Sequence, residues 1–493
     1  MRVSLSAGMR AEVYPVPMAH RTLHGAMWSL LSQSVSALVT FVVFVMMSRL
    51  VGHGELGEYM LAVVGVGAVQ WLALNAYREP IIQAKTLTPL VRDSVFWFSA
   101  VVAIVVACIL LGIAQYLRWR GHVMITASCL SILAVKLFFD TLVSVPMALC
   151  YRALRFQMLA KVNIGISTLG LVVGVVLLQA GWGVLAVATL QSTISVLSFV
   201  LILIRCAWFP RLHFAWQDLG VLHRYSPHVV LWQGIDALNI YLDRFMVGVA
   251  IGPHALGLYA FGRRLNDVII EVLAGAAGNV ALPTYVALQD DPAKLKRAYI
   301  RSMRLAIFVV FPVIGILFGV ADELVTAVFG SKWDSAVPIY RCFLLLGAIQ
   351  TIGVFQASLI RSLGHASLWA RYQIIQAIAN ALVLYFAIDH GIYILAMAVV
   401  VRTYLVWFYS VGITCRLIGM PVLDYLRMFV KPVLGAFLTS LVAAGSLHLA
   451  YGVPPIAMIA GATLIAGLTY VAAAFLVMKP VKNEVLALIA SHG

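Results

Sequence analysis

Charge stands in this chain where charge is costly. Between residues 229 and 282, in an otherwise apolar stretch, occur Asp236, Asp243, Arg244, Arg263, Arg264, Asp267 and Glu271. Asp236 and Asp243 are seven apart, so a helix places them on one face with Asn239 between. Arg264, Asp267 and Glu271 follow the i, i+3, i+7 spacing of a second face. Lys136 and Asp140 are four apart and suited to pair with each other. Arg341 and Arg402 have no acid within one turn of their own helix, so each must meet a neighbouring helix or water.

A guanidinium matches phosphate oxygens as a planar fork. That makes Arg244, Arg263, Arg264, Arg341, Arg402 and Lys136 candidates for a cationic, substrate-binding cavity. The acids Asp236, Asp243, Asp267, Glu271 and Asp140 are candidates for ion coupling or for pairing with those cations. Pairing alone predicts Asp243 with Arg264, and Arg244 with Asp267. Nothing in the sequence carries bond-making chemistry: there is no HExxH, no GxSxG, and no Gly-Lys dipeptide from which a P-loop could be built. Cys108, Cys129, Cys150, Cys206, Cys342 and Cys415 are isolated in apolar runs, which gives neither a metal site nor a disulfide framework. No cofactor is expected.

The elements that position these charges follow from composition. Of 493 residues, 63% are hydrophobic and 11% charged, and the mean hydropathy is +0.99. A soluble domain carries about 25% charged residues, and one membrane crossing takes about 20 apolar ones. The chain is therefore an all-α polytopic membrane protein. Apolar runs predict 14 helices, at 25–48, 58–77, 94–117, 122–145, 158–179, 183–207, 229–251, 259–282, 298–320, 337–359, 368–388, 392–414, 429–449 and 453–478. The run at 25–48 is too long for a signal-peptide core, and Met18 is an alternative start to Met1. With the N-terminus inside, about 24 of the 34 Lys and Arg fall on cytoplasmic segments. The outer turns "QAGWG", "IGPHALG" and "YGVPP" carry none. The formal charge of +15 is read as this bias, not as nucleic-acid binding.

The helices group as six, six and two. At an offset of 200, Leu31, Gln33, Ala37, Leu38, Met46, Gly52, Leu56, Gly57 and Tyr59 meet identical residues at Leu231, Gln233, Ala237, Leu238, Met246, Gly252, Leu256, Gly257 and Tyr259. The chain is an internal duplication. Even helix numbers insert both halves the same way round, about an axis along the membrane normal, with the substrate between them. The same offset sets Ser36, Val43, Phe44, Val63 and Val64 against Asp236, Asp243, Arg244, Arg263 and Arg264, so charge was placed on one side only. The expected organisation is a tail at 1–24, bundles at 25–208 and 229–416, a cytoplasmic linker at 209–228, a helix pair at 417–478, and a cytoplasmic tail at 479–493.

The strings "LHGAMWSLLSQSVSALVTFVVFVMMSRLVGHGELGEYMLA", "VPMALCYRALRFQMLAKV", "LDRFMVGVAIGPHALGLYAFGRRLND" and "ALPTYVALQDDPAKLKRAYIRSMRLAIFVVFPVIG" resemble the bacterial lipopolysaccharide and exopolysaccharide flippases of the Wzx type. The likeness runs from about residue 23 to 474. These belong to one superfamily with multidrug extruders and the lipid II flippase. The resemblance implies a V-shaped pair of six-helix bundles in the bacterial inner membrane, and the loop-charge bias with an even helix count places both termini in the cytoplasm. It also implies a partner substrate, undecaprenyl-pyrophosphate-linked oligosaccharide, whose pyrophosphate the arginines would meet, and a polysaccharide polymerase with its chain-length machinery nearby. Helices 13 and 14 would groove the polyprenyl tail. "REPIIQ" at 78–83 departs from the more apolar segment of many relatives and leaves the glycan open. A drug or cation antiporter would need only twelve helices, and a membrane polysaccharide polymerase would need a large outer loop that this chain lacks.

Overall fold

The computed structural model describes residues 18–83, 87–121, 123–219, 234–273, 275–449 and 453–477. The first half contains α1 (Met18–Leu50), α2 (His53–Gln83), α3 (Pro89–Arg120), α4 (Met124–Arg152), α5 (Phe156–Gln179) and α6 (Val184–Cys206). The second contains α7 (234–246, running on into a π turn, Val247–Ile251), α8 (Pro253–Leu273), α9 (Gly275–Ala287), α10 (Pro292–Gly319), α11 (Ala321–Phe329), α12 (Val337–Ser362), α13 (Ala366–Ala387) and α14 (Ile392–Ile418). The chain continues through α15 (Val422–Leu449) and α16 (Pro455–Val477).

Among the described residues, eleven helices are long and apolar enough to cross a membrane. The predicted spans 58–77, 229–251 and 259–282 are not among them, although their described residues are helical. The described residues of the predicted eighth span are helical in α8 and α9, and α9 runs on past it with Pro283 inside the helix, where the ring removes a backbone donor. Between the ninth and tenth spans, where a loop was expected, lies α11 followed by a 3-10 turn at Ser331–Ala336. The tails 1–17 and 478–493, linker residues 220–228, and the side chains of Arg78 and Glu79 lie outside the described residues.

In the first half α4 is central, packed on α2, α3 and α6, while α5 joins α1 to α6. Gly170 and Gly174 let α5 approach α6 closely, since a Cβ at either would come within 3.1 Å of Ile194 or Leu190. In the second half α12 holds the equivalent place, against α8, α9, α10 and α14, with α13 on α14. α15 seats on α10 and carries α16. Residues 209–219 return against α3, where Trp97 donates Nε1–H to the Arg211 carbonyl at 2.7 Å.

The halves meet chiefly through α2 and α8, and the duplication explains how. A Cβ on Gly57 would lie 1.6 Å from the Pro253 carbonyl oxygen, and a Cβ on Gly257 would lie 2.0 Å from that of His53. These are equivalent contacts under the offset of 200, so the two helices cross through paired glycines on a pseudo-twofold axis. Around this crossing each half caps the other's helix ends. Arg49 donates to the carbonyls of Val328 (2.7 Å) and Ala327 (2.8 Å) at the end of α11. Lys332 donates to the carbonyls of Arg49 and Val51, both at 2.8 Å, at the end of α1, and Trp333 Nε1–H reaches the Ser48 carbonyl at 2.9 Å. The last carbonyls of a helix have no partner within it, and cations there also oppose its dipole. His53 donates Nε2–H to the Lys332 carbonyl at 2.5 Å and rests edge-on against His254 and Trp333. Phe261 stacks on Trp333 at 4.2 Å. The two histidines are thus the first residue of α2 and the second of α8, packed at the junction of the halves.

A charged cluster between the repeated helices

The candidate site lies where α7, α8, α12, α13 and α14 come together. Asp243 and Arg244 occupy the last α-helical turn of α7, just before the helix widens into its π turn. π turns within α-helices recur at functional sites. Asp243 is 3% exposed, and it is held by three groups. Tyr259 donates its hydroxyl to Oδ2 at 2.7 Å, the Arg244 amide donates to Oδ1 at 2.8 Å, and Arg263 stands at 3.7 Å. Arg263 in turn lies 3.4 Å from Asp267, one turn along α8, and Arg244 reaches Asp267 at 3.2 Å. The four residues form an alternating chain, Asp243–Arg263–Asp267–Arg244, whose formal charges cancel.

The expected pair of Arg244 with Asp267 is present. Asp243, however, pairs with Arg263 and not with Arg264. Residues one apart on a helix diverge by about 100°, so only Arg263, four residues after Tyr259, shares the face that meets α7. It also lies over the Phe343 ring of α12, 5.6 Å from the centroid. Arg264 points from the next face and pairs with the half-exposed Glu271 at 3.7 Å.

Arg402 is placed differently. It is 9% exposed, donates to Asn380 Oδ1 at 3.0 Å, and comes within 3.5 Å of the Gln376 carbonyl. Among the described residues no carboxylate lies within ion-pair distance of it, and its Nε has no partner. It remains within electrostatic reach of Asp243, Arg263, Tyr259 and Tyr372. Asp236 mirrors this from the other side. Its carboxylate accepts from Gln373 Nε2 at 2.6 Å, and Asn239 donates to the Gln373 carbonyl at 3.2 Å. It has no cation within ion-pair distance among the described residues, although Arg361 acts on it from further off.

The remaining candidates divide. Lys136 and Asp140 pair at 2.7 Å, as their spacing predicted, and Gln70 of α2 joins both, accepting from Lys136 and donating to Asp140 at 2.7 Å each. Tyr241, one turn before Arg244, lies against Gly67, one turn before Gln70. The α2–α7 seam thus carries the first-half trio towards the second-half cluster. Arg341 is not brought to the cluster. It pairs with Asp322 of α11 at 2.5 Å, donates to the Phe318 carbonyl, and sits over the Phe318 ring. Phe343, two residues on and about 200° round the helix, is the residue of that turn facing Arg263.

Sequence reasoning passed over Tyr259, Gln70 and the amide row of α13. Gln373, Gln376 and Asn380 stand at i, i+3, i+7 in an apolar helix, the spacing that flagged α8. A search restricted to charges could not see them.

Comparison with known proteins agrees with this architecture. Residues 45–338 match the family profile described as "Polysaccharide biosynthesis protein". The chain is 22% identical over 342 residues to the lipopolysaccharide biosynthesis protein WzxC of Escherichia coli (strain K12), covering 68% of each chain. It is 24% identical over 369 residues to the succinoglycan biosynthesis transport protein ExoT of Rhizobium meliloti (strain 1021), covering 73% of this chain and 74% of that one. Its fold is similar to that of the lipid II flippase MurJ in an inward closed conformation, with a TM-score of 0.65 at 13% identity over 93% of this chain and 98% of the other. An inward-facing multidrug transporter of the MATE family, in the MOP superfamily, follows at 0.59 and 14%, over 80% and 98%. The fold is that of a multi-pass membrane transporter, and the profile spans more than half of the sequence. The chain belongs to the polysaccharide biosynthesis protein family.

Proposed function

We propose that this protein is a flippase that carries undecaprenyl-pyrophosphate-linked oligosaccharide across the bacterial cytoplasmic membrane by alternating access, with both termini in the cytoplasm. The observation that carries the reading is Arg402: a buried guanidinium without a carboxylate partner among the described residues, beside a charge-balanced network, in a fold of two repeated halves. An unpaired cation at that depth is costly unless it meets an anion during the working cycle. The pyrophosphate is such an anion. Arg264, whose partner Glu271 is half-exposed, is the second group able to exchange its carboxylate for phosphate oxygens. Arg263 and Arg244 fix α7 against α8, and Lys136 with Asp140 plays the matching part in the first half.

The two six-helix units, 25–208 and 229–416, are the moving bodies in this scheme, and 417–478 supports the second of them and offers the tail a groove. Translocation delivers the repeat unit to a polymerase and its chain-length machinery. Asp236, set among Asn239 and Gln373, is the group we assign to a coupling ion, so the transport draws on a gradient. A strain lacking the chromosomal copy tests the reading: plasmid-borne wild type restores surface polymer, and Arg402→Gln, present in the membrane at the wild-type level, does not. Full polymer from Arg402→Gln would remove the argument.

A further inference from the structure

Away from the charged cluster, a cleft of 400 Å³ runs between α9, α10 and α12. Its α10 wall is Ala298, Ser302, Leu305, Ala306 and Val309, and Ala281 and Phe355 close the other sides. The lining is apolar apart from Thr284 and the hydroxyls of Tyr285 and Ser302, which engage each other at 2.5 Å. From Ala298 to Val310 the cleft follows α10 for about 18 Å at 1.5 Å per residue, a little over half of the roughly 30 Å hydrocarbon core. It begins at the end of α10 where the chain turns out of the apolar span.

Cations border that same end. Lys294 lies one turn before Ala298 on the cleft's own face, and Arg301 is about 40° round the helix from Leu305. Arg297 and Arg301 are exposed, and neither has an acidic partner among the described residues. Lys294 is paired only with the exposed Asp291, at 3.1 Å. Lys296 is turned away, donating to the Gly419 carbonyl at 2.8 Å.

We propose that the cleft is a binding site for an acidic phospholipid of the leaflet at which α10 begins, with one acyl chain along the cleft and the phosphate between Arg297 and Arg301. Basic pockets between membrane helices take anionic head groups in this way, each cation near the surface contributing about 1 kcal/mol. The length fits a chain anchored at one interface. Charge complementarity at the mouth selects an acidic over a zwitterionic head. The site is independent of the transport reading, since it shares no residue with the charged cluster.

Native mass spectrometry of the detergent-purified full chain, titrated with phosphatidylglycerol or phosphatidylcholine, tests it. Two cations imply a preference of about thirtyfold for phosphatidylglycerol. Arg297→Gln with Arg301→Gln should abolish the preference while leaving weak binding of both lipids. Ala306→Trp, which fills the cleft, should lose the bound phosphatidylglycerol. Equal affinity for the two lipids overturns the proposal, and so does an Ala306→Trp protein that keeps its lipid. Undecaprenyl pyrophosphate displacing phosphatidylglycerol at equimolar ratio, and lost with Ala306→Trp, would assign the cleft to the carrier lipid instead and equally overturn it.

Discussion

Replacing Gly57 or Gly257 by alanine should loosen the end of the molecule where the halves are joined. The methyl of Gly57→Ala would start 1.6 Å from the Pro253 oxygen, and Cβ contacts below 3.0 Å essentially do not occur. The opposing backbone must therefore retreat by at least about 1.4 Å. No flexible side chain can absorb this, because both atoms in collision belong to the main chain of α2 or the start of α8. Overpacking of this kind costs about 1–3 kcal/mol, and the helix-propensity gain from glycine to alanine does not offset it, because α2 and α8 are helical in both arrangements and gain equally in each. A bias of 1–3 kcal/mol between two arrangements is about 5–150-fold in their ratio. The hydrogen bonds of Arg49, Lys332 and Trp333 lie at 2.7–2.9 Å and would stretch with the same retreat. The assay is the rate of thiol cross-linking between Val51→Cys and Lys332→Cys, in a background without the six native cysteines. Gly57→Ala and Gly257→Ala should each slow it at least fivefold. Gly65→Ala, on the same helix with open space around it, should leave it unchanged. If both alanine variants cross-link at the control rate, the glycine crossing does not hold the halves together.

Three further outcomes follow from the same geometry. Arg402→Gln removes a buried charge without orphaning a carboxylate, so thermal stability in detergent should stay within about 1 kcal/mol of wild type while polymer yield falls at least tenfold. A melting temperature that collapses would make Arg402 structural. Asp243→Asn or Arg263→Gln alone leaves an uncompensated buried charge at a cost of about 3–5 kcal/mol, whereas the double variant should recover most of that; additive losses would contradict the pairing. Burial lowers the pKa of His53 from its ordinary 6.5, so the unfolded chain binds more protons below that value and the inter-half junction weakens as pH falls below 6.5. The melting temperature of His53→Gln should depend less on pH between 8 and 5 than that of wild type, and an unchanged slope would exclude His53 as the titrating group.

The elements of this fold were legible because membrane helices announce themselves by composition, and the duplication was legible because Gly57, Gly257, Tyr59 and Tyr259 kept their identities. Why those residues were kept is visible only in three dimensions, where each glycine receives the other half's backbone. Charge in apolar helices singled out α7 and α8, whose charged side chains do meet, and the Lys136–Asp140 pair. It could not decide between Arg263 and Arg264 as partner of Asp243, since adjacent residues differ only in the face they present, and that depends on how α7 leans on α8. Nor could it separate Arg341 from Arg402. Both lack an acid within a turn in their own helix, yet Asp322, on a short helix expected to be loop, satisfies the first, and among the described residues Asn380 and the Gln376 carbonyl meet the second.

Transport itself is tested most directly in proteoliposomes of purified protein loaded with a labelled undecaprenyl-pyrophosphate oligosaccharide, with the label exposed at the outer leaflet measured by a membrane-impermeant glycosidase. Wild type should raise the accessible fraction with time, and Arg402→Gln should leave it at the protein-free level. No difference between wild-type and protein-free vesicles, under an imposed ion gradient as well as without one, would contradict the account.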